Sequence, residues 1–333
     1  MKETFDMNVN SKRISIYTAL MLLVASAAVA LRTAACLNDL LYEYGYYNSK
    51  SLITASAYVT LAGCILLFSY IFLSEQMSPT TSFSSPKTYA PTGAVAVGLV
   101  FIAIHLLRQG TAGESKISAY VIVLTALFAL VSIVHFFLNA FISESRTELR
   151  GYFSLATVVF LALYAAYLYF TSRLPLNAPN KLIDQLAFLF SALFFLYESR
   201  ISLGREKWRA YVTFGLIAAL LTAYSSVPAL ITYFVKGRII SNSIEESVLT
   251  ATLFLFITSR LFLTASISER RKSPAALAMR DYAERRKAAV LESMQVHREA
   301  FSKQMTIDDL LSDTPETSGD SSEEITERTE SEE

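Results

Sequence analysis

The sequence has few of the residues from which catalytic and metal sites are built. Among its 333 residues there are two cysteines, three histidines and one tryptophan. Cys36 and Cys64 lack the Cys-x-x-Cys spacing of a zinc or redox site, so we interpret them as small packing residues. The HExxH, GxSxG, Walker A and GxGxxG motifs are missing as well. We therefore expect a protein that is not an enzyme and that uses no metal or other cofactor.

The chain has no formal net charge, but its charges are unevenly distributed. Residues 306–333 contain 11 acidic residues and one basic residue, Arg328, which gives this segment a net charge of −10. The segment is rich in Ser and Thr and too poor in apolar residues to form a core, which predicts a disordered acidic tail. The rest of the chain carries the compensating positive charge. We expect no nucleic-acid partner.

Long apolar runs dominate the rest of the sequence. About 20 apolar residues are needed for a helix to cross a hydrocarbon core of about 30 Å. Eight runs approach or exceed that length: residues 14–31, 52–73, 92–107, 117–142, 152–171, 182–203, 210–235 and 247–268. The sequence thus predicts an all-α polytopic membrane protein with about eight transmembrane helices between residues 14 and 268. The first run could also be read as a cleaved signal peptide, but its length favours a retained helix.

The segments that join these runs favour one orientation in the membrane. With residues 1–13 as a cytoplasmic N-terminus, the cytoplasmic segments hold 13 Lys and Arg residues, and the opposite loops hold eight. Arg32 and Lys181 are counted among those eight. Because basic residues concentrate on the cytoplasmic side of membrane proteins, we expect a multi-pass protein of the cell membrane with both termini in the cytoplasm.

Small residues and one proline indicate how the helices pack. Residues 25–30 of the first run are mostly Ala, and the third run contains Gly93 and Gly98. Small side chains let helices approach closely, so both runs are predicted to lie in the interior of the bundle. Pro228 in the seventh run removes a backbone donor and predicts a kink there.

Two parts of the sequence resemble each other. Residues 136–146 (FFLNAFISESR) and 261–271 (LFLTASISERR) match at seven of eleven positions, and residues 71–76 resemble 194–199 at a similar shift. One interpretation is a tandem duplication of a four-helix unit, as in some transporters. The other is chance similarity among segments made mostly of Phe, Leu, Ala and Ser. The alignment places His135 opposite Arg260.

Arg260 is the strongest candidate for an intramembrane site. It lies near the middle of the eighth run, where a charge is costly and usually faces protein or water instead of lipid. We expect it to form a polar site with His135, Asn139 and Glu198 in the inner half of the membrane. The alternative is that Arg260 extends to the membrane surface and that Glu198 simply lies at a helix end. Asp184 is interpreted as an interfacial group.

Residues 269–305 predict a basic amphipathic helix on the cytoplasmic side. The segment is rich in helix formers, and Pro274 suits a first helical turn. Apolar residues recur at spacings of four and seven. A basic flank accompanies this stripe: Arg280, Arg285, Arg286 and Lys287. The flank predicts contact with the anionic leaflet of the lipid bilayer, whereas the apolar stripe suits a cytoplasmic protein partner or a second copy of the chain.

Two classes of function are compatible with these features. The amphipathic helix and the tail, together with the missing catalytic motifs, favour a non-enzymatic membrane sensor or scaffold that presents them to a partner. The alternative is a transporter, or a transporter subunit, with a polar site near Arg260 and His135.

Overall fold

The computed structural model describes residues 2–41, 46–48, 51–73, 89–110, 116–141, 147–170, 178–203, 207–241, 243–270, 285–286 and 288–296. For the helical residues 2–12, 110, 116–118, 139–141, 147–150 and 266–270 it describes the backbone alone. Residues 1–273 form one compact unit and residues 274–333 form a second. The predicted acidic tail, 306–333, lies outside the described residues. In the second unit, residues 285–286 and 288–296 are helical and exposed.

The first unit is built almost entirely from α-helices. Its described elements follow in chain order: α1 (Lys2–Asn38), β1 (Leu40–Leu41), β2 (Tyr46–Tyr47), α2 (Ser51–Phe68), α3 (Tyr70–Leu73), α4 (Tyr89–Gly110), α5 (Lys116–Phe141), α6 (Thr147–Phe170), α7 (Pro179–Ser202), α8 (Trp208–Lys236) and α9 (Ile244–Arg270). The two short strands pair in an antiparallel hairpin, with Leu40 opposite Tyr47.

Eight helical segments among the described residues are long and apolar enough to cross a membrane. α2 and α3 count as one of them, because only a turn at Ser69 separates them. Large apolar side chains point outward, with Phe72 at 77% and Phe234 at 80% exposure. A surface of this kind is expected where lipid covers the protein. The chain is therefore an all-α multi-pass membrane protein, as predicted.

Some helix ends differ from the predicted ones. α1 continues seven residues beyond residue 31 to Asn38, so Arg32 lies within the helix and the prediction that it is a loop residue is wrong. α4 begins at Tyr89, before the predicted start of the third span, and accommodates Pro91 in its first turn. α8 continues through Pro228 to Lys236 and is capped by Gly237, whose φ of 64° suits the left-handed residue that terminates many helices.

The centre of the bundle is α8. It packs against α1, α2, α7 and α9, and 78% of its most apolar window is buried. The helices α4 to α9 pack on one another in chain order, and α9 returns to α4, which closes a ring of six helices. α1 lies outside this ring against α8 and α9, and α2 lies against α1 and α8. The prediction that the first span is interior is therefore wrong, because only one face of α1 packs inward and Ala27 and Ala30 are exposed.

Candidate intramembrane polar site

Two facing helices of the ring each place a line of buried side chains in its interior. On α7 this line is Asp184, Phe188, Ser191, Phe195 and Glu198. On α9 it is Glu246, Leu249, Leu253, Phe256 and Arg260. The spacings alternate between three and four residues, so each line follows one face of its helix. Both lines have ionisable residues at their ends, which lie in two layers about 21 Å apart at 1.5 Å per residue.

The layer at the C-terminal ends of α7 and α9 contains the predicted arginine, and we call it the Arg260 cluster. Arg260 Nη2 donates to Glu198 Oε1 at 3.0 Å, and both side chains are fully buried. The guanidinium carbon lies 5.1 Å from the centre of the Phe256 ring. The phenol of Tyr211 on α8 interacts electrostatically with both charged groups. The contact between Arg260 and the sixth span, expected from the sequence, is present, and Arg260 does not extend to the surface.

His135 joins this cluster through aromatic rings. It is buried on α5 and meets the ring of Phe195 edge-on at 5.9 Å. Phe195 stacks on Phe256 at 5.7 Å, which in turn lies against Arg260. His135 and Arg260 are therefore connected by aromatic side chains that the sequence did not identify, and their common polar site stays a prediction. Asn139 is within α5, and its side chain lies outside the described residues.

The second layer, at the opposite ends of the helices, is organised around Arg32, and we call it the Arg32 cluster. Arg32 is 1% exposed and lies 4.6 Å above the Tyr224 ring. Its Nη1 donates to the carbonyl oxygen of Tyr224 at 2.5 Å. That carbonyl would normally accept the amide of residue 228 in the helix, but Pro228 has no N–H to donate. The proline in α8 thus creates the acceptor that holds Arg32.

Asn180 and Tyr47 complete the polar contacts of Arg32. Arg32 Nη2 donates to Asn180 Oδ1 at 2.9 Å, and the Tyr47 hydroxyl donates to the same oxygen at 2.8 Å. Cys36 Sγ lies 3.4 Å from that hydroxyl, so this cysteine packs inside the bundle as predicted. Burial raises the pKa of the Tyr47 phenol, although Arg32 opposes the shift. The phenol therefore stays protonated and anchors the hairpin to α7.

Two carboxyl groups meet in the same layer. The side chains of Asp184 and Glu246 are 3% and 1% exposed and interact with each other. Ser225 Oγ donates to Asp184 Oδ1 at 2.5 Å, and the Tyr164 hydroxyl donates to Glu246 Oε2 at 3.3 Å. Asp184 also interacts electrostatically with Arg32. The interpretation of Asp184 as an interfacial group is wrong, because the ring of helices encloses it.

The local sequence explains how Glu246 reaches this position. Ser243 precedes α9, and its Oγ accepts the backbone N–H of Glu246 at 3.1 Å. Ser-x-x-Glu is the pattern of a capping box, in which the Glu side chain would turn back to the helix start. Here that side chain instead extends to Asp184 and Tyr164. The sequence contains two signals of this arrangement that were missed. One is the Ser-x-x-Glu pattern at residues 243–246, and the other is the spacing of 14 residues that separates Asp184 from Glu198 and Glu246 from Arg260.

The predicted surface site is described in part. Arg285 and Arg286 are helical and exposed, whereas Arg280 and Lys287 lie outside the described residues. Their contact with a membrane or a partner stays a prediction. In the described ranges, no three His, Cys, Asp or Glu side chains are grouped in a way that could hold a metal ion.

Comparisons with known proteins give no family for this chain. No protein-family model matches it, and neither a curated protein nor a solved structure shows significant similarity to it. The function must therefore be inferred from the site itself.

Proposed function

We propose that the protein is a membrane transporter whose path follows the interior between α7 and α9. The observation that carries this proposal is the pair of buried charged layers, the Arg32 cluster and the Arg260 cluster, at the two ends of that interior. Ionisable side chains are costly inside a membrane and commonly mark ion or substrate paths. The rings of Phe188, Phe195 and Phe256 lie between the layers and would close the path in this conformation.

In this proposal the protein is not an enzyme and acts in the cell membrane with both termini in the cytoplasm. The excess of Lys and Arg in the segments assigned to the cytoplasm supports this orientation. The Arg260 cluster would then lie toward the cytoplasm and the Arg32 cluster toward the opposite face. Lipid is the environment of the outer surface, and the path needs no nucleic acid or cofactor.

The test is current measurement on proteoliposomes adsorbed to a solid-supported membrane. Jumps in pH, in sodium and in a panel of small organic anions are applied to the full chain. We expect a current for at least one class and its loss in Glu198→Gln, which keeps the shape of the side chain but removes its charge. Arg200→Gln is the control, because Arg200 stacks on Tyr197 at 5.8 Å and is only partly buried. Correctly folded protein that gives no current for any jump would contradict the proposal.

A second function, that of a sensor or scaffold, is supported by the helix at residues 288–296. Its side chains are exposed, including the large apolar ones of Val290, Leu291, Met294 and Val296. Such a face suits a cytoplasmic protein or a second copy of the chain. Affinity purification in mild detergent should then recover a defined partner with the full chain and lose it with Leu291→Glu. Equal recovery by the variant, or by a chain that ends at Ser273, would reject this alternative.

A further inference from the structure

The two charged layers differ in their balance of charge. In the Arg260 cluster one guanidinium faces one carboxylate, Glu198, at 3.0 Å. In the Arg32 cluster the one guanidinium interacts electrostatically with Asp184, which in turn interacts with Glu246. Buried charges are tolerated when they are paired and hydrogen-bonded. The Arg32 cluster therefore holds one carboxyl group more than its arginine can neutralise.

We propose that Asp184 and Glu246 bind one exchangeable proton between them, and that this proton is the ion coupled to transport. The second part rests on the proposed transport function, whereas the first does not. Asp184 and Glu246 are both buried and interact with each other. Two neighbouring carboxylates repel each other in such a site, so pairs of this kind commonly share one proton.

The surroundings suit a proton that can leave as well as bind. Ser225 donates to Asp184 and Tyr164 donates to Glu246, so each carboxyl group has its own donor when it is ionised. Two further buried donors, Arg32 Nε and Asn180 Nδ2, have no hydrogen-bond partner among the described residues. They are independent of the carboxyl pair and lie in the same cluster. The charge of Arg32, which interacts electrostatically with Asp184, would stabilise the second negative charge that forms when the proton leaves.

The other titratable groups around the pair leave this charge count unchanged. Cys36 on α1 and the phenols of Tyr47, Tyr164 and Tyr224 are neutral groups when protonated. Tyr167 on α6, whose ring lies 5.6 Å from that of Tyr164, donates its hydroxyl to Gln109.

Two more charged groups near the pair are directed elsewhere. Lys181 on α7 donates to the carbonyl of Tyr169. On α4, His105 lies 3.5 Å from Glu245, in a pair that remains partly exposed at the rim. The reaction is thus the exchange of one proton between the carboxyl pair and water, with Arg32 retaining its charge.

Infrared spectroscopy of the full chain in lipid nanodiscs tests the proton directly. At pH 7 we expect a carbonyl band of a protonated carboxylic acid, equivalent to one group per chain, that shifts in D₂O and disappears as the pH rises. Glu246→Gln should remove this band, because the remaining carboxylate, that of Asp184, interacts electrostatically with Arg32. Glu245→Gln, a neighbouring acid on the rim, should leave it unchanged.

The outcomes separate the proton site from the transport function. The absence of the band in the wild-type chain at pH 7, or its persistence in Glu246→Gln, would overturn the proton site. A band that behaves as expected, in protein whose proteoliposomes show no pH-driven current, would support the proton site and contradict transport. A pH-driven current that survives in Glu246→Gln would show that another group carries the coupling proton.

Discussion

Arg260 and Glu198 form an ion pair of 3.0 Å whose two side chains are sealed inside the helix bundle. Both charges are removed from water, so each depends on the other for compensation. Breaking a buried pair by removing one partner typically costs about 3–5 kcal/mol, whereas replacing both partners by apolar residues is often neutral. Removing one partner of this pair should therefore lower the free energy of unfolding far more than removing one partner of an exposed pair.

We predict that Arg260→Met destabilises the bundle by about 3–5 kcal/mol because it leaves Glu198 buried without its counter-charge. The double variant Arg260→Met with Glu198→Leu should regain most of this loss. Unfolding in mixed detergent micelles measures the three free energies. Arg200→Met, in a partly buried position, is the control and should change stability little. A double variant as unstable as the single one would show that the pair is not the source of the effect.

The hydroxyl of Tyr47 should contribute to stability in a pH-dependent way. Tyr47→Phe removes its hydrogen bond to Asn180 and should cost about 1 kcal/mol at neutral pH. Burial raises the pKa of this phenol above its ordinary value of about 10. The folded chain thus holds the proton more tightly than the unfolded chain, so this contribution is complete below pH 10 and is lost above it.

The measurement is the free energy of unfolding between pH 8 and pH 12. Tyr47→Phe should reduce the loss of stability above about pH 10 by up to about 1.4 kcal/mol per pH unit. Tyr46 is the neighbouring, exposed residue of the same strand, and Tyr46→Phe should leave the slope as it is. Identical slopes in both variants would argue against a buried phenol at position 47.

Pro228 and Arg32 should be energetically coupled. Pro228→Ala restores an N–H that competes with Arg32 for the carbonyl of Tyr224. The loss caused by Arg32→Leu should therefore be smaller in the Pro228→Ala background, by about 0.5–3 kcal/mol, as for residues that share a partner. Pro91→Ala, in the first turn of α4, is the uncoupled control. If the effects of Arg32→Leu and Pro228→Ala on the free energy of unfolding simply add, as those of Arg32→Leu and Pro91→Ala should, the role given to Pro228 would be contradicted.

Two glycines of α4 should respond oppositely to substitution. A Cβ at Gly98 would lie 3.0 Å from Thr252 and 3.3 Å from the backbone of Leu249, so Gly98→Val should push α4 from α9 and cost about 1–3 kcal/mol. A Cβ at Gly93 meets nothing within 4 Å. Gly93→Ala should stabilise the helix by about 0.5–1 kcal/mol. Thermal unfolding in detergent measures both changes in stability. If both substitutions stabilise, or both destabilise, the described packing of α4 would be contradicted.

Cysteine labelling should place the two ends of the bundle on opposite faces of the membrane. Tyr46 and Tyr89 are both exposed. Between them the polypeptide chain passes through one predicted span, which consists of α2 and α3. In a chain without Cys36 and Cys64, Tyr46→Cys should react only from outside the cell and Tyr89→Cys only from the cytoplasm. Labelling of both from the same face would reject the predicted orientation.

The sequence alone determined the class of the protein and pointed to Arg260 and Glu198 as partners. Apolar runs of about 20 residues can satisfy their backbone polar groups in lipid only as helices, so length and composition were sufficient to predict eight spans. Arg260 was recognisable because a charge within such a run must be enclosed or paired. The duplication suggested by residues 136–146 and 261–271 stays a prediction.

Only the tertiary structure decided which residues are enclosed near the ends of the helices. Arg32, Asp184 and Glu246 each lie within about two turns of a helix end, where a charged side chain can equally face water or extend to the lipid headgroups. Neither the periodicity nor the composition distinguishes these possibilities. Contacts between residues far apart in the chain determine the outcome. The carbonyl of Tyr224, which Pro228 leaves without its helical donor, binds Arg32, and the ring of α4 to α9 encloses the two carboxyl groups.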